Sequence, residues 1–132
     1  MAAIFPALED RHAAAAGAVA ARYRARTGPV RAACHRDRQA AYSAFFGSPL
    51  ANFLVERHVR TVIVSGAETD VCVLSTVLDA VNIGFRVVIV EDALCSSSDV
   101  GHDALMTMYR TRFNEQIDLV EAECLRDIWA DA

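Results

Sequence analysis

Lysine is missing from this chain of 132 residues, and all 13 of its basic side chains are arginine. Arginine carries its charge on a broad planar fork and lysine on a compact ammonium. Chemistry that leans on the ammonium therefore finds none in this sequence. The 4 cysteines, Cys34, Cys72, Cys95 and Cys124, lie far apart and form no C-x-x-C pair, which argues against a zinc site or a thioredoxin-type dithiol. His12, His35, His58 and His102 have no spacing that suits a metal cage, so neither a metal nor another cofactor is expected. No apolar stretch approaches membrane-spanning length, and the first residues lack the basic and apolar regions of a signal peptide. The expectation is a cytoplasmic protein with no membrane partner and without the export that disulfide pairing needs. A formal net charge of -4 gives no reason to expect nucleic acid as a partner. Internal repeats and low-complexity linkers are absent too.

What is present is an apolar chain. A hydrophobic content of 54% rules out disorder and suits a sheet sandwiched between helices. One domain over residues 1–132 is expected, small for an α/β enzyme. Alanine-rich Leu8 to Arg26 reads as a helix ended near Gly28-Pro29, and Val30 to Cys34 as a short strand. Pro49 to Arg57 reads as a helix, Val62 to Ser65 as a strand, Asp70 to Asn82 as a helix and Arg86 to Glu91 as a second strand. A helix from Asp99 to Tyr109 has capping serines before it; a strand from Gln116 to Val120 and a helix from Ala122 to Trp129 close the chain. Strands alternating with helices at these spacings imply a parallel sheet with right-handed crossovers.

The most specific signal is Thr61-Val62-Ile63-Val64-Ser65-Gly66-Ala67-Glu68-Thr69-Asp70-Val71-Cys72-Val73. Val62 to Val64 is a short apolar run of the kind found in strands covered on both faces. Gly66 frees the backbone to turn. Thr69 and Asp70 are helix-capping types, and Val71, Leu74, Leu78 and Val81 repeat at helical spacing. Cys72 thus falls in a first helical turn, where unpaired N–H groups and the positive dipole end favour a thiolate nucleophile. A buried core thiol is the competing reading.

This segment closely resembles the nucleophile segment of the isochorismatase-like cysteine hydrolases. The likeness continues through Leu78-Asp79-Ala80, Gly84 to Val90 and Asp92-Ala93-Leu94-Cys95-Ser96-Ser97-Ser98, and upstream through Tyr42-Ser43-Ala44-Phe45-Phe46-Gly47-Ser48-Pro49-Leu50. It implies a three-layer α/β sandwich with a mainly parallel sheet, N-terminally shortened from the family pattern. It implies hydrolysis of a carbon–nitrogen or vinyl-ether bond of a small metabolite, with Cys72 as nucleophile, and a non-proline cis peptide at Ala67–Glu68. Ala67, Glu68, Phe45 and Arg38 are the expected substrate or oxyanion pocket. Phe45 and Phe46 are aromatic candidates for its wall, and at least one of them is expected in the core.

The family also uses a lysine and an aspartate. Ungapped counting from Ser43 puts Gln39 at the lysine position with Arg38 beside it. Asp10 follows a proline-interrupted stretch and reads as a first-turn helix charge rather than the family acid. Cys95 is expected as a buried thiol, Asp92 as a cap of the turn after it, and His102 and Asp103 as hydrogen-bonded surface residues. Loss of the strand that carries the family aspartate would leave Val62 to Val64 on an apolar edge. With so much apolar surface in a small chain, a homo-oligomer is expected. Two readings stay open: a Cys72 hydrolase, and a non-catalytic remnant or partner-stabilising subunit of the same fold.

Overall fold

An apolar run needs a sheet around it, and Val62 to Val64 finds one. In the computed structural model, which describes residues 39 and 41–130, the run belongs to strand β1, Thr61–Ala67. Strands β2, Arg86–Cys95, and β3, Ile117–Val120, complete a three-stranded parallel sheet ordered β1-β2-β3. Helix α1, Leu50–Glu56, precedes β1; α2, Leu74–Ile83, joins β1 to β2; α3, Asp99–Arg112, joins β2 to β3. Helix α4, Ala122–Ala130, follows β3. The alternation read from the sequence is therefore the alternation observed. The chain divides into two compact units: Ala33–Ala122 holds the sheet and α1 to α3, and the described residues from Glu123 onward belong to the other. Within α4, Arg126 pairs with Glu123 at 2.7 Å. The expected helix from Leu8, the strand from Val30, Asp10, Cys34 and Arg38 lie outside the described residues.

Register explains the core. Val62, Val87 and Ile117 stand abreast, as do Val64, Ile89 and Leu119. This face meets Val77 and Ala80 of α2 and Met106 and Tyr109 of α3 in one apolar cluster. On α2, Leu74, Val77 and Val81 recur at helical spacing, which turns one stripe to the sheet. Side chains alternate across a strand, so Val88, Val90 and Val120 face the other way, and they too are buried. Each such side chain stabilises the fold by about 1.5–3 kcal/mol relative to exposure. The strand covered on both faces is thus β2. β1, expected to be so covered, has a paired neighbour on one side only among the described residues, and Ile63 is 42% exposed.

Strand β2 runs past Glu91, where its apolar run stops, because pairing resumes further on. Val64 pairs with Ile89, but Gly66 pairs with Leu94 and Ala67 with Cys95. Gly66 sits at this shift with φ +115, where a side chain would be strained. The segment before α1 docks on α2: Ser43 Oγ donates to Asp79 Oδ2 at 2.5 Å, Ala44 N–H donates to Thr76 Oγ1 at 3.1 Å, and Phe45 stacks on Phe85 with centroids 5.9 Å apart. Among the described residues no helix is long and apolar enough to cross a membrane.

Candidate active site

The site is built where β1 ends. The Ala67–Glu68 peptide is cis, as the resemblance implied. The chain then closes a π-type turn over Thr69–Val73, in which Val73 N–H reaches Glu68 O at 3.0 Å, and α2 starts at Leu74. The helix expected from Asp70 is therefore preceded by a wider turn, a feature that recurs at functional sites. Cys72 lies in it, half-buried and free.

Three successive side chains ahead of Cys72 are held by the junction between β2 and α3. Glu68 Oε2 accepts from Ser96 Oγ at 2.9 Å and from Ser97 N–H at 2.5 Å. These bonds, the Ser97 backbone N–H foremost, hold the Glu68 carboxyl below the usual value of 4.5, against a smaller opposing push from desolvation and Asp70. Thr69 is fully buried, its hydroxyl donating to Cys95 O at 3.1 Å and lying 2.9 Å from His102 Nδ1. Asp70 Oδ1 is 2.5 Å from Ser96 Oγ. Its other oxygen lies so near Gly101 that a Cβ there would overlap it. The junction itself is pinned by Ser98, which caps α3 by accepting from Gly101 N–H at 3.1 Å.

Thr69 and Asp70 thus depart from the expected local capping, for no side-chain cap closes their own turn. Their polar atoms bond across to another segment, which a helix-start pattern does not encode. Ala67 pairs with Cys95 across the sheet. Phe45 lies in the core with its ring on Phe85, a packing position rather than an open wall, while Phe46 is exposed. Gln39, which ungapped counting puts at the family's lysine position, donates its amide to Ala41 O at 3.0 Å and Tyr42 O at 2.7 Å. Cys95, expected to be buried, is exposed, because β2 has by then run beyond the covered part of the sheet. Asp92 accepts from Ala122 N–H at 2.8 Å, so it caps the start of α4 and not the turn after itself. Among the described residues no group of three or more His, Cys, Asp or Glu side chains is placed to hold a metal ion. Sequence reasoning missed Ser96, Ser97, Gly101 and the inward role of His102. The available signal was the run of serines facing the motif from the end of the next strand.

A parallel sheet whose first described strand turns through a cysteine into a helix defines the class, an α/β domain built around a strand-to-helix thiol. The comparisons narrow it. The Isochorismatase domain matches residues 4–121, and the chain belongs to the isochorismatase family. An uncharacterized isochorismatase family protein, PncA, of Bacillus subtilis is 37% identical over 76 residues, 58% of this chain and 42% of that protein. Maleamate amidohydrolase of Pseudomonas putida is 28% identical over 80 residues, 61% of this chain and 38% of the enzyme. The crystal structure of nicotinamidase/pyrazinamidase PncA from Bacillus subtilis superposes with a TM-score of 0.57 at 35% identity, covering 61% of this chain and 44% of that one. An isochorismatase-like hydrolase from Alkaliphilus metalliredigens shares the fold, with a TM-score of 0.62 at 20% identity over 78% of this chain and 57% of its own. The chain spans less than half the length of the two curated relatives, 42% and 38%.

Proposed function

We propose that this chain supplies Cys72 as the nucleophile of an isochorismatase-family hydrolase acting on the carbon–nitrogen bond of a small amide. The observation that carries the reading is the position of Cys72, in the turn between β1 and α2 with the preceding side chains clasped by the 95–102 segment. The similar nicotinamidase and maleamate amidohydrolase support the amide class over the vinyl-ether alternative. In this reading the thiolate adds to the carbonyl carbon, the amine leaves with a proton, and water splits the resulting thioester to release acid and restore the thiol. Backbone groups of Ala67 and Glu68 border the oxyanion; the Glu68 carboxylate is already engaged by Ser96 and Ser97. The charge that a lysine gives the family comes here from Arg38 or from a second chain. Among the described residues β1 has no neighbour on its outer side, which favours such an assembly, a homo-oligomer in the cytoplasm.

One observation favours the second reading, a non-catalytic, partner-stabilising member of the same fold: Gln39 stands where the lysine is expected and its amide is bonded to its own backbone. A panel of small primary amides, nicotinamide and maleamate among them, separates the two by ammonia release. Turnover abolished by Cys72→Ala supports the hydrolase. No turnover of any amide by the assembled wild-type protein supports the second reading.

A further inference from the structure

Thr69 is the middle of the three clasped side chains and the one with a histidine on it. Its hydroxyl is fully buried and has two neighbours, Cys95 O at 3.1 Å and His102 Nδ1 at 2.9 Å. A hydroxyl gives one proton and receives on two lone pairs, whereas a carbonyl only receives. If Thr69 gave its proton to the ring, the Cys95 carbonyl would lose its donor from Thr69. The order that serves all three groups runs from the ring to the hydroxyl to the carbonyl, and it requires hydrogen on Nδ1.

We propose that His102 is a positioning residue for Cys72: with its proton on Nδ1 it donates to Thr69, which passes the hold to Cys95 O and so fixes the turn carrying the thiol. The proposal rests on Cys72 being the nucleophile. His102 stands in the first turns of α3 and Cys95 ends β2, so one buried hydroxyl locks the thiol's turn to both neighbouring elements. Ser96 Oγ lies 2.9 Å from Glu68 Oε2 and 2.5 Å from Asp70 Oδ1, so its one proton is shared by the carboxylates on either side of Thr69, and Ser97 N–H holds Glu68 as well. In the neutral ring Nε2 keeps its lone pair.

The ring's nitrogen spectrum tests this directly. Long-range nitrogen–proton correlation on the full chain with labelled histidine, at a pH where imidazole is neutral, should show His102 protonated at Nδ1. Its signals are those lost in His102→Asn; should that variant not fold, replacing His12, His35 and His58 together leaves His102 alone. Thr69→Val removes the hydroxyl with little change of shape and should return the ring to the Nε2–H form, while Thr69→Ser should not. Nδ1 bare in the wild type would overturn the proposal. The second arm is the alkylation rate of Cys72 at unchanged circular dichroism. His102→Ala should slow it roughly three- to tenfold, the worth of one hydrogen bond, and His102→Asn, whose amide N–H stands near the Nδ1 place, should restore it. Equal rates for the Ala and Asn variants would refute positioning. A Cys72 that is slow in the wild type would instead refute the nucleophile reading, and the tautomer result would stand apart from it.

Discussion

Replacing Gly101 by alanine should destabilise this protein, against the usual sign of that change in a helix. Gly101 is the third residue of α3, where alanine ordinarily gains about 0.5–1 kcal/mol over glycine. Here a Cβ would overlap the Asp70 carboxylate, approach its Cγ to 2.8 Å and Ser98 Oγ to 3.1 Å. The obstacle is the end of a short side chain, so the cost is that of turning Asp70 away from Ser96. That breaks a hydrogen bond to a charged group, about 1.5–3 kcal/mol. The difference leaves a net loss of about 0.5–2.5 kcal/mol, the helix gain offsetting part of the broken bond. Urea unfolding would read it as a lower midpoint at unchanged slope. A double-mutant cycle sharpens the test: with Asp70→Ala already in place, Gly101→Ala should become stabilising by about 0.5–1 kcal/mol. A Gly101→Ala protein more stable than wild type would refute the close docking of Asp70 on α3.

Three further outcomes follow from the same geometry. As the proposed nucleophile, Cys72, though half-buried, should react with iodoacetamide at neutral pH faster than the exposed Cys95; mass mapping showing Cys95 labelled first would count against that role. Tyr109 is buried, its hydroxyl has no hydrogen-bond partner among the described residues, and desolvation pushes its phenol from 10.0 to about 12. The raised value means its contribution is intact below pH 10.0 and lost as pH climbs toward about 12. Tyr109→Phe should remove that alkaline loss at little or no cost near neutrality, and an unchanged alkaline midpoint would contradict it. Glu68 has the opposite sign: its lowered carboxyl stabilises the fold above pH 4.5 and ceases to as pH falls below that value. Glu68→Gln should therefore flatten the acid limb of stability against pH, and a limb identical to wild type would show that Ser97 does not hold the carboxylate.

Much of the scaffold could be read from periodicity. Val62 to Val64 announced β1, Ser98 announced the start of α3, and the placement of Cys72 followed from a strand run, a glycine and a helical repeat. The runs themselves do not tell which strand is interior, because Val62-Ile63-Val64 and Val87-Val88-Ile89-Val90 are both short and apolar; the expectation that Val62 to Val64 lies at an edge came from the resemblance. Only pairing shows that the second has neighbours on both sides. The length of β2 was hidden for a related reason: Glu91 and Asp92 end its apolar run, yet Leu94 and Cys95 still pair with Gly66 and Ala67. The clasp around Cys72 was least legible. Its bonds join residues 26 to 33 positions apart, such as Thr69 to Cys95 and His102, and polar side chains that meet at such separations leave no period in the chain.

The wide turn at Thr69–Val73 also governs how this chain can change length. A helical residue advances by about 100°, so removing one residue ahead of a regular helix swings everything upstream by that angle. A turn closed from Val73 N–H to Glu68 O already holds one residue more than an α turn requires. Deleting the exposed Val71 from it would leave an ordinary α turn, with Glu68 still at the strand end, Val77 and Ala80 still on the sheet, and Thr69, Asp70 and Val73 kept for the clasp and the core. The scaffold would absorb the deletion, and the thiol would be re-aimed. The surplus residue is therefore dispensable to the fold and decisive for the direction in which the sulfur points.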